Sequence, residues 1–329
     1  MVMRGDTMND IRICMIGAGK HATAQIYPLF PGLSKARVVA NCDLNVAQAR
    51  DVGGRHGITH HYDSWKDMVA AEQPHGVMVC TGDRGHAELA PLIMQAGYHV
   101  MVEKPHAPDL AASQRMLEVS LATGRVCMGA YKKRYTPAYL KAREAIRSTS
   151  FGQPCLATLY RAMGGNNQTQ PGYLWQWGCH AIDLMPWLLG PVASLQAIRT
   201  HDDWRAVSVN LRFVSGAVGS LVLASPGGNW EELTVIGSGM AAVRVRDGLF
   251  TTVHNGNEPC DGHHPSFSSS NDGSRLTGFR GELDAFISAC ADGVRPDSDI
   301  TRIHHTIAIH TALRRSLDSG NSEEIAACA

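Results

Sequence analysis

Short apolar runs alternating with longer helical patterns over the first 130 residues constrain this chain more than any other feature. The runs fall at 11–16, 37–42, 76–80, 98–102 and 126–130, with helices expected near 20–29, 45–55, 64–71, 85–96 and 108–123. Asn45, Ser64 and Asp109 read as helix starts, and Gly53, Gly57 and Gly97 as stops. Alternation at this spacing builds βαβ units, hence a parallel sheet with helices on both faces. After residue 130 the rhythm changes. A helix near 137–147, a strand at 154–161, a polar stretch at 164–172 and a helix near 179–189 lead into closely spaced strands. These strands are expected at 194–200, 205–213, 217–224, 231–236, 241–246 and 249–253. Short strands with Gly-containing turns read as an antiparallel sheet. Residues 255–277 read as a long polar loop, and helices at 279–292 and 299–318 close the chain. The fold class is α/β: a doubly wound parallel sheet over 1–130, then an α/β domain with a large open sheet over 131–329.

Composition narrows the partners. With 329 residues, the length suits two domains. Thirty basic residues balance thirty acidic ones, which argues against nucleic acid or an anionic membrane and for a small-molecule substrate. No run reaches the length of a membrane-spanning helix, and the polar amino terminus lacks a signal-peptide core. The nine cysteines contain no CxxC pair, and Cys14, Cys42 and Cys80 sit in or at the end of strand-like runs. Reduced thiols in the cytoplasm are expected.

The first apolar run ends in Gly17-Ala18-Gly19-Lys20-His21-Ala22, a G-x-G-x-x-A sequence opening a helix. The glycines permit a tight turn and close approach of backbone to a pyrophosphate, which the helix amino terminus attracts. Asp43 closes the second strand, 24 residues after Gly19, where an acid accepts hydrogen bonds from the adenosine ribose. A carboxylate there repels a 2′-phosphate, and Leu44-Asn45-Val46 offers no arginine to receive one. The cofactor expected is NAD, with NADP less favoured. Glu103-Lys104-Pro105 follows the strand at 98–102. Its lysine therefore lies at the sheet edge where ligands bind, and the proline restricts the backbone and can be cis.

With these residues assembled, the chain resembles the Gfo/Idh/MocA family (glucose–fructose oxidoreductase, inositol dehydrogenase and rhizopine-catabolism relatives). The matches are G-A-G-K-H-A, Asp43, T-G-D-R-G-H (81–86), E-K-P (103–105), Y-K-K-R-Y-T-P (131–137), W-G-C-H-A-I-D (177–183) and G-F-R-G-E-L-D-A-F (278–286). The resemblance implies a Rossmann domain, and an open, mostly antiparallel second sheet that often mediates oligomers, here a homodimer or homotetramer. It implies hydride transfer between a sugar, sugar-derivative or cyclitol carbinol and NAD(P). Carried over by position, Gly17, Gly19, Lys20, His21, Asp43, Thr81, His86, Glu103 and Lys104 would bind the cofactor. Lys104, Tyr131, Arg134, Trp175, Gln176 and His180 would line the substrate. Lys104, His180, Asp183 and Gln176 would form the catalytic set, with His180 as acid/base, a role its ordinary pKa suits.

Two departures stand out. The family often places an acid four residues before this histidine, where this chain has Gln176, which can position a hydroxyl but takes no proton. Thr81-Gly82-Asp83 replaces the common Thr-Pro-Asn. The altered acid pattern keeps two alternatives open: a glycoside hydrolase or lyase working by transient oxidation, and a catalytically inactive NAD-binding sensor. Trp175 and Trp177, with Tyr173 nearby, suit either an apolar wall for a sugar ring or loop packing. Lys132-Lys133-Arg134 could grip a phosphate or carboxylate, although a solvated basic face is the favoured reading. Trp204 and Trp230 read as packing at strand ends. Cys260, His263 and His264 lack a second ligand pair at suitable spacing, so no metal is expected.

Overall fold

The computed structural model describes residues 11–33, 35–163, 172, 174–200, 205–225, 228–265 and 273–326. Two compact units emerge: Met1–Ala130 with Leu283–Arg302, and Tyr131–Glu282 with Ile303–Ala329.

The first unit holds six strands: β1 (Ile11–Ile16), β2 (Ala36–Cys42), β3 (His60–Tyr62), β4 (Gly76–Val79), β5 (His99–Val102) and β6 (Cys127–Gly129). All pair in parallel in the order β3-β2-β1-β4-β5-β6. The order reverses direction between β1 and β4, so the loops after those two strands flank a crevice at the carboxyl edge. Four helices connect the strands: α1 (Val46–Arg55), α2 (Trp65–Glu72), α3 (Asp83–Gln95) and α4 (Leu110–Thr123). Asn45, Ser64 and Asp109 each accept a first-turn amide, from Gln48, Asp67 and Ala112.

Several local expectations change. The helix expected at 20–29 is a π-helical stretch at Ala22–Ile26 running into a 3-10 stretch at Tyr27–Gly32. Pro28 and Pro31 lack the N–H groups a continuous α-helix needs. Gly53 is not a stop but lies inside α1, where a Cβ would come within 2.7 Å of the Asn41 side chain. Strand β3 went unread because its three residues are polar and occupy the sheet edge. Residues Leu283–Arg302 complete this unit. Any Cβ at Gly76 would meet Cys290 Sγ at 2.5 Å and the Phe286 ring at 2.8 Å, so the glycine lets α7 (Phe279–Asp292) lie against β4.

The second unit holds β7 (Pro154–Ala162), β8 (Val192–Arg199), β9 (Ala206–Phe213), β10 (Val218–Ala224), β11 (Trp230–Gly237), β12 (Ala241–Arg246), β13 (Phe250–Asn255), β14 (Glu258–His263) and β15 (Glu323–Glu324). They form one sheet, β14-β13-β12-β11-β7-β10-β9-β8-β15, antiparallel except for the β7–β10 pair. Part of the loop expected at 255–277 is thus strand β14, and Gly273–Leu276 forms a helical turn. The β13–β14 pairing survives a shift of register that polar side chains conceal. Alternating burial along β9 and β11 marks one face of the sheet as core. Helices α5 (Pro137–Ile146), α6 (Cys179–Leu189) and α8 (Ile300–Ser319) contribute to that core. Helix α6 is buried nearly all round, so any ionised group on it must be paired inside the protein.

The cores hold several buried neutral imidazoles. Burial depresses the pKa of His86, His99, His304 and His305, and burial beside Arg314 takes His310 down to about 3. The unfolded chain binds these protons below about pH 6.5 while the folded chain refuses them, so stability falls with acidification from there. His310 alone costs about 2 kcal/mol at pH 5 by this linkage. The thermal midpoint should fall between pH 7.5 and pH 5, and His310→Leu should lose part of that fall. An equal fall in the variant would assign the acid sensitivity to other groups.

Candidate active site

Within the first unit, the crevice is built from three strand ends. Gly17 follows β1 with φ of +103°, and a Cβ there would sit 2.3 Å from the Cys80 carbonyl oxygen. That approach draws the loops after β1 and β4 together and admits only glycine. Around Gly19 a Cβ would meet nothing within 4 Å, so the loop faces open space where a pyrophosphate needs room. Lys20 and His21 are exposed beside it. The loop is held from behind: Tyr27 Oη donates to the Gly17 carbonyl (3.2 Å) and Gln48 Nε2 to the Ala18 carbonyl (2.6 Å). Asn41 Nδ2 in turn donates to Tyr27 Oη (3.0 Å).

Asp43 is tied to the same loop, accepting from the Ala18 amide (2.8 Å) and the Asn45 amide (2.9 Å). It is therefore no free turn residue, and it sets a carboxylate at the end of β2 beside the glycine turn. These residues fit a dinucleotide: a glycine turn with space before it, a helix start, and an acid at the adjacent strand end.

The Glu103-Lys104-Pro105 step follows β5. Glu103 is buried and accepts the Lys104 amide (3.0 Å), with His21 Nε2 3.4 Å from its other oxygen. Burial alone would raise the Glu103 pKa, but His21 and Lys104 outweigh it and hold the carboxylate below its ordinary range. Lys104 is half-buried, and the Lys104–Pro105 peptide is cis. His86 is buried on α3, and both ring nitrogens are engaged within the protein. The Thr81 amide donates to Nε2 (3.3 Å), which leaves Nδ1–H to donate to the Pro105 carbonyl (3.0 Å). His86, expected to bind the cofactor, thus joins the loop after β4 to the loop after β5 and spends both ring nitrogens inside the protein. Thr81 itself is exposed. Gly82 has φ of +91° immediately before α3, a backbone state that the glycine substitution makes accessible.

Within the second unit, a 3-10 turn at Lys132–Tyr135 precedes α5. Two of its cations diverge to two buried carboxylates. Arg134 forms a two-pronged bond to Asp183, Nε to Oδ2 at 2.8 Å and Nη2 to Oδ1 at 2.6 Å. Thr306 Oγ1 adds a third donor at 2.9 Å. Burial weakens the guanidinium's hold on its proton, and Asp183 more than restores it. Arg134 and Asp183 are both buried to within 2% of complete exclusion, so neither presents its charge to a substrate. Where Arg134 was expected on the substrate and Asp183 in catalysis, the structure places a buried pair that joins α6 to the turn.

His180, one helical turn before Asp183, is 5% exposed, and its ring meets Tyr131 edge-on with centroids 6.4 Å apart. Tyr131 is fully buried, so it packs His180 and offers no surface to a substrate. Gln176 lies exposed in a π-helical turn, Leu174–Gly178, and Trp177 packs half-buried against the core. The Trp175 side chain, with Tyr173 and Trp204, falls outside the described residues.

Lys133 turns the other way. It pairs with Glu231, which also binds Arg161 and accepts from Tyr139 Oη at 2.5 Å. The solvated basic face expected for Lys132-Lys133-Arg134 is thus overturned at two of its three positions, by buried acids distant in sequence. Glu231 and Arg161 were missed, although the strand pattern carried a signal. Each falls in phase with the inward side chains of its strand, Leu233 and Val235 for one, Ala157 and Leu159 for the other.

Comparison with known proteins agrees with this architecture. Residues 11–131 match the family described as "Oxidoreductase family, NAD-binding Rossmann fold", and residues 139–243 match the "GFO/IDH/MocA C-terminal domain". The chain is 24% identical over 310 residues to 4-carboxy-2-hydroxymuconate-6-semialdehyde dehydrogenase of Sphingobium sp., covering 89% of this chain and 94% of that protein. It is 27% identical over 206 residues to inositol 2-dehydrogenase 1 of Saccharopolyspora erythraea, covering 60% of each. Levoglucosan dehydrogenase, solved with NADH and L-sorbose, shares the fold with a TM-score of 0.85 at 19% identity, over 97% of this chain and 100% of that one. With two family regions matched in order over more than half of its length, the chain belongs to the Gfo/Idh/MocA oxidoreductase family, whose amino-terminal domain is an NAD-binding Rossmann fold.

Proposed function

We propose that the protein is an NAD-dependent dehydrogenase acting on a carbinol of a sugar, sugar derivative or cyclitol, with the first unit binding cofactor and the second binding substrate and forming the oligomer. The observation that carries this reading is the placement of Lys104. It stands at the carboxyl edge of a parallel NAD-family sheet, and its backbone is held by buried Glu103 and, through Pro105, by buried His86. The nicotinamide, when bound, accepts a hydride from the substrate carbon or returns it. Lys104 donates a hydrogen bond to the developing alkoxide, and His180 takes the hydroxyl proton. Gln176, exposed before α6, orients a hydroxyl without exchanging a proton. Asp43 selects NAD over NADP by repelling a 2′-phosphate.

The relatives support the substrate class, since one is an inositol 2-dehydrogenase and one a levoglucosan dehydrogenase. The open sheet face, which exposes Leu156, Ile198, Trp230 and Ile236, supports pairing with a second copy as a homodimer or homotetramer. None of the eight described cysteines is in a disulfide, in keeping with the cytoplasm.

Purified protein with NAD and a panel of cyclitols, aldoses, uronates and glycosides should accumulate NADH with at least one member. Gln176 in place of an acid favours a second reading, in which a glycoside is split through transient oxidation. Cleavage products by mass spectrometry without net NADH would select that second reading. Silence in both channels would leave the protein as an NAD-binding sensor.

A further inference from the structure

The Lys133–Glu231–Arg161 cluster is not needed for hydride transfer, yet it is an unusual thing to bury. Its side chains are 14%, 8% and 12% exposed. Two cations face one carboxylate, whose oxygens also take the Tyr139 hydroxyl. The cluster therefore carries one uncompensated positive charge. Arg161 spends one arm on Glu231 and directs another at the thioether of Met163 (3.2 Å), a weak acceptor. Its Nε is buried with no acceptor among the described residues. A buried guanidinium with donors this poorly matched costs stability unless something else supplies an acceptor.

A cavity of about 320 Å³ opens on the same groups, walled by Trp230 and with Asp247 on its exposed rim. That size suits a small ligand. Asp247 adds a carboxylate at the rim, where solvent weakens its charge, and it makes no hydrogen bond to Lys133 or Arg161 among the described residues. Burial, with the neighbouring Arg161 adding to it, pushes the Lys133 pKa down to about 8 despite Glu231. Lys133 is also the residue before Arg134, which anchors Asp183 one helical turn from His180. One short turn thus connects the cavity to the element bearing the candidate acid/base.

We propose that this cavity receives a carboxylate of the substrate, held by the accessible edge of Arg161 and by Lys133, so that the preferred substrates are acidic sugars such as uronates. The identification of the ligand as substrate rests on the dehydrogenase reading; the anion site itself does not. A carboxylate neutralises the cluster and accepts charge-assisted bonds that a neutral hydroxymethyl group answers only weakly.

The test is calorimetric titration of the NAD-loaded protein with matched pairs, D-glucose against D-glucuronate and D-galactose against D-galacturonate, with acetate and inorganic phosphate as competitors. At least one uronate should bind about tenfold or more tightly than its neutral partner, and Arg161→Gln should erase that preference. Because Arg161→Gln strips Glu231 of a partner and can unfold the unit, the wild-type thermal midpoint supplies a second measure. It should rise more with that uronate than with the neutral sugar. No uronate exceeding its neutral partner in either measurement overturns the proposal. So does competition by phosphate far exceeding that by acetate, which would assign the cavity to a phosphoryl group. Nicotinamide absorbance on the same samples reads hydride transfer separately. Preference without turnover and turnover without preference therefore tell the two readings apart.

Discussion

Replacing Lys104 with methionine should lower hydride transfer by about 10³-fold or more while leaving NAD affinity within about threefold of the parent. Methionine keeps most of the apolar stem and removes only the ammonium, so the half-buried position stays filled. Glu103 loses one of the two charges that keep it ionised, but His21 stays beside it and the backbone bonds of the frame remain. Glu103 holds the Lys104 backbone amide, and His86 holds the Pro105 carbonyl. What disappears is the donor proposed for the developing alkoxide, and groups of that kind typically contribute about 10² to 10⁴ in rate. NADH production under saturating substrate, read beside cofactor titration, separates the two effects. Equal loss of rate and of cofactor affinity would make Lys104 a cofactor ligand. Full activity would remove it from the mechanism altogether.

The cofactor residues of the first unit and the substrate residues of the second differed in how much could be read from sequence alone. The cofactor half was legible because its chemistry is local. A glycine pair, an acid after the next strand and Glu103-Lys104-Pro105 each lie at a strand end, and strand ends announce themselves through apolar runs. Even there, His86 looked like a cofactor ligand, because the pattern cannot reveal that Thr81 and Pro105 use both of its nitrogens. The substrate half is a set of pairings over long separations: Arg134 with Asp183, Thr306 with Asp183, Lys133 and Arg161 with Glu231. A basic run of three reads as surface because most such runs are, and nothing near it names the acids that bury it. Likewise, the pattern over 279–292 finds helix α7 but cannot say that Leu283–Arg302 belongs with the first unit. That outcome turns on Gly76, some 200 residues earlier, having no side chain.

The second large effect follows from the buried pair. Asp183→Asn should destabilise the second unit by about 3–5 kcal/mol, because it takes the Asp183 carboxylate's charge from the buried Arg134 guanidinium. Asparagine nearly matches the shape and can still accept from Thr306, so the loss isolates charge from packing. The thermal midpoint should fall, and activity should fall chiefly as folded protein is lost. His180→Asn should do the reverse, abolishing turnover with a smaller change in midpoint, since the Arg134–Asp183 pair stays intact and Tyr131 still packs the position. The double variant Arg134→Met with Asp183→Leu removes both charges, and it should recover much of the stability lost in Asp183→Asn. A structural role predicts that recovery. If Asp183→Asn instead keeps the parental midpoint while losing turnover, Asp183 acts in the chemistry after all, as the second acid its position beside His180 first suggested. The outcome therefore decides whether proton transfer in this chain is shared between two side chains of α6 or falls to His180, on a helix that Arg134 and Asp183 hold in place.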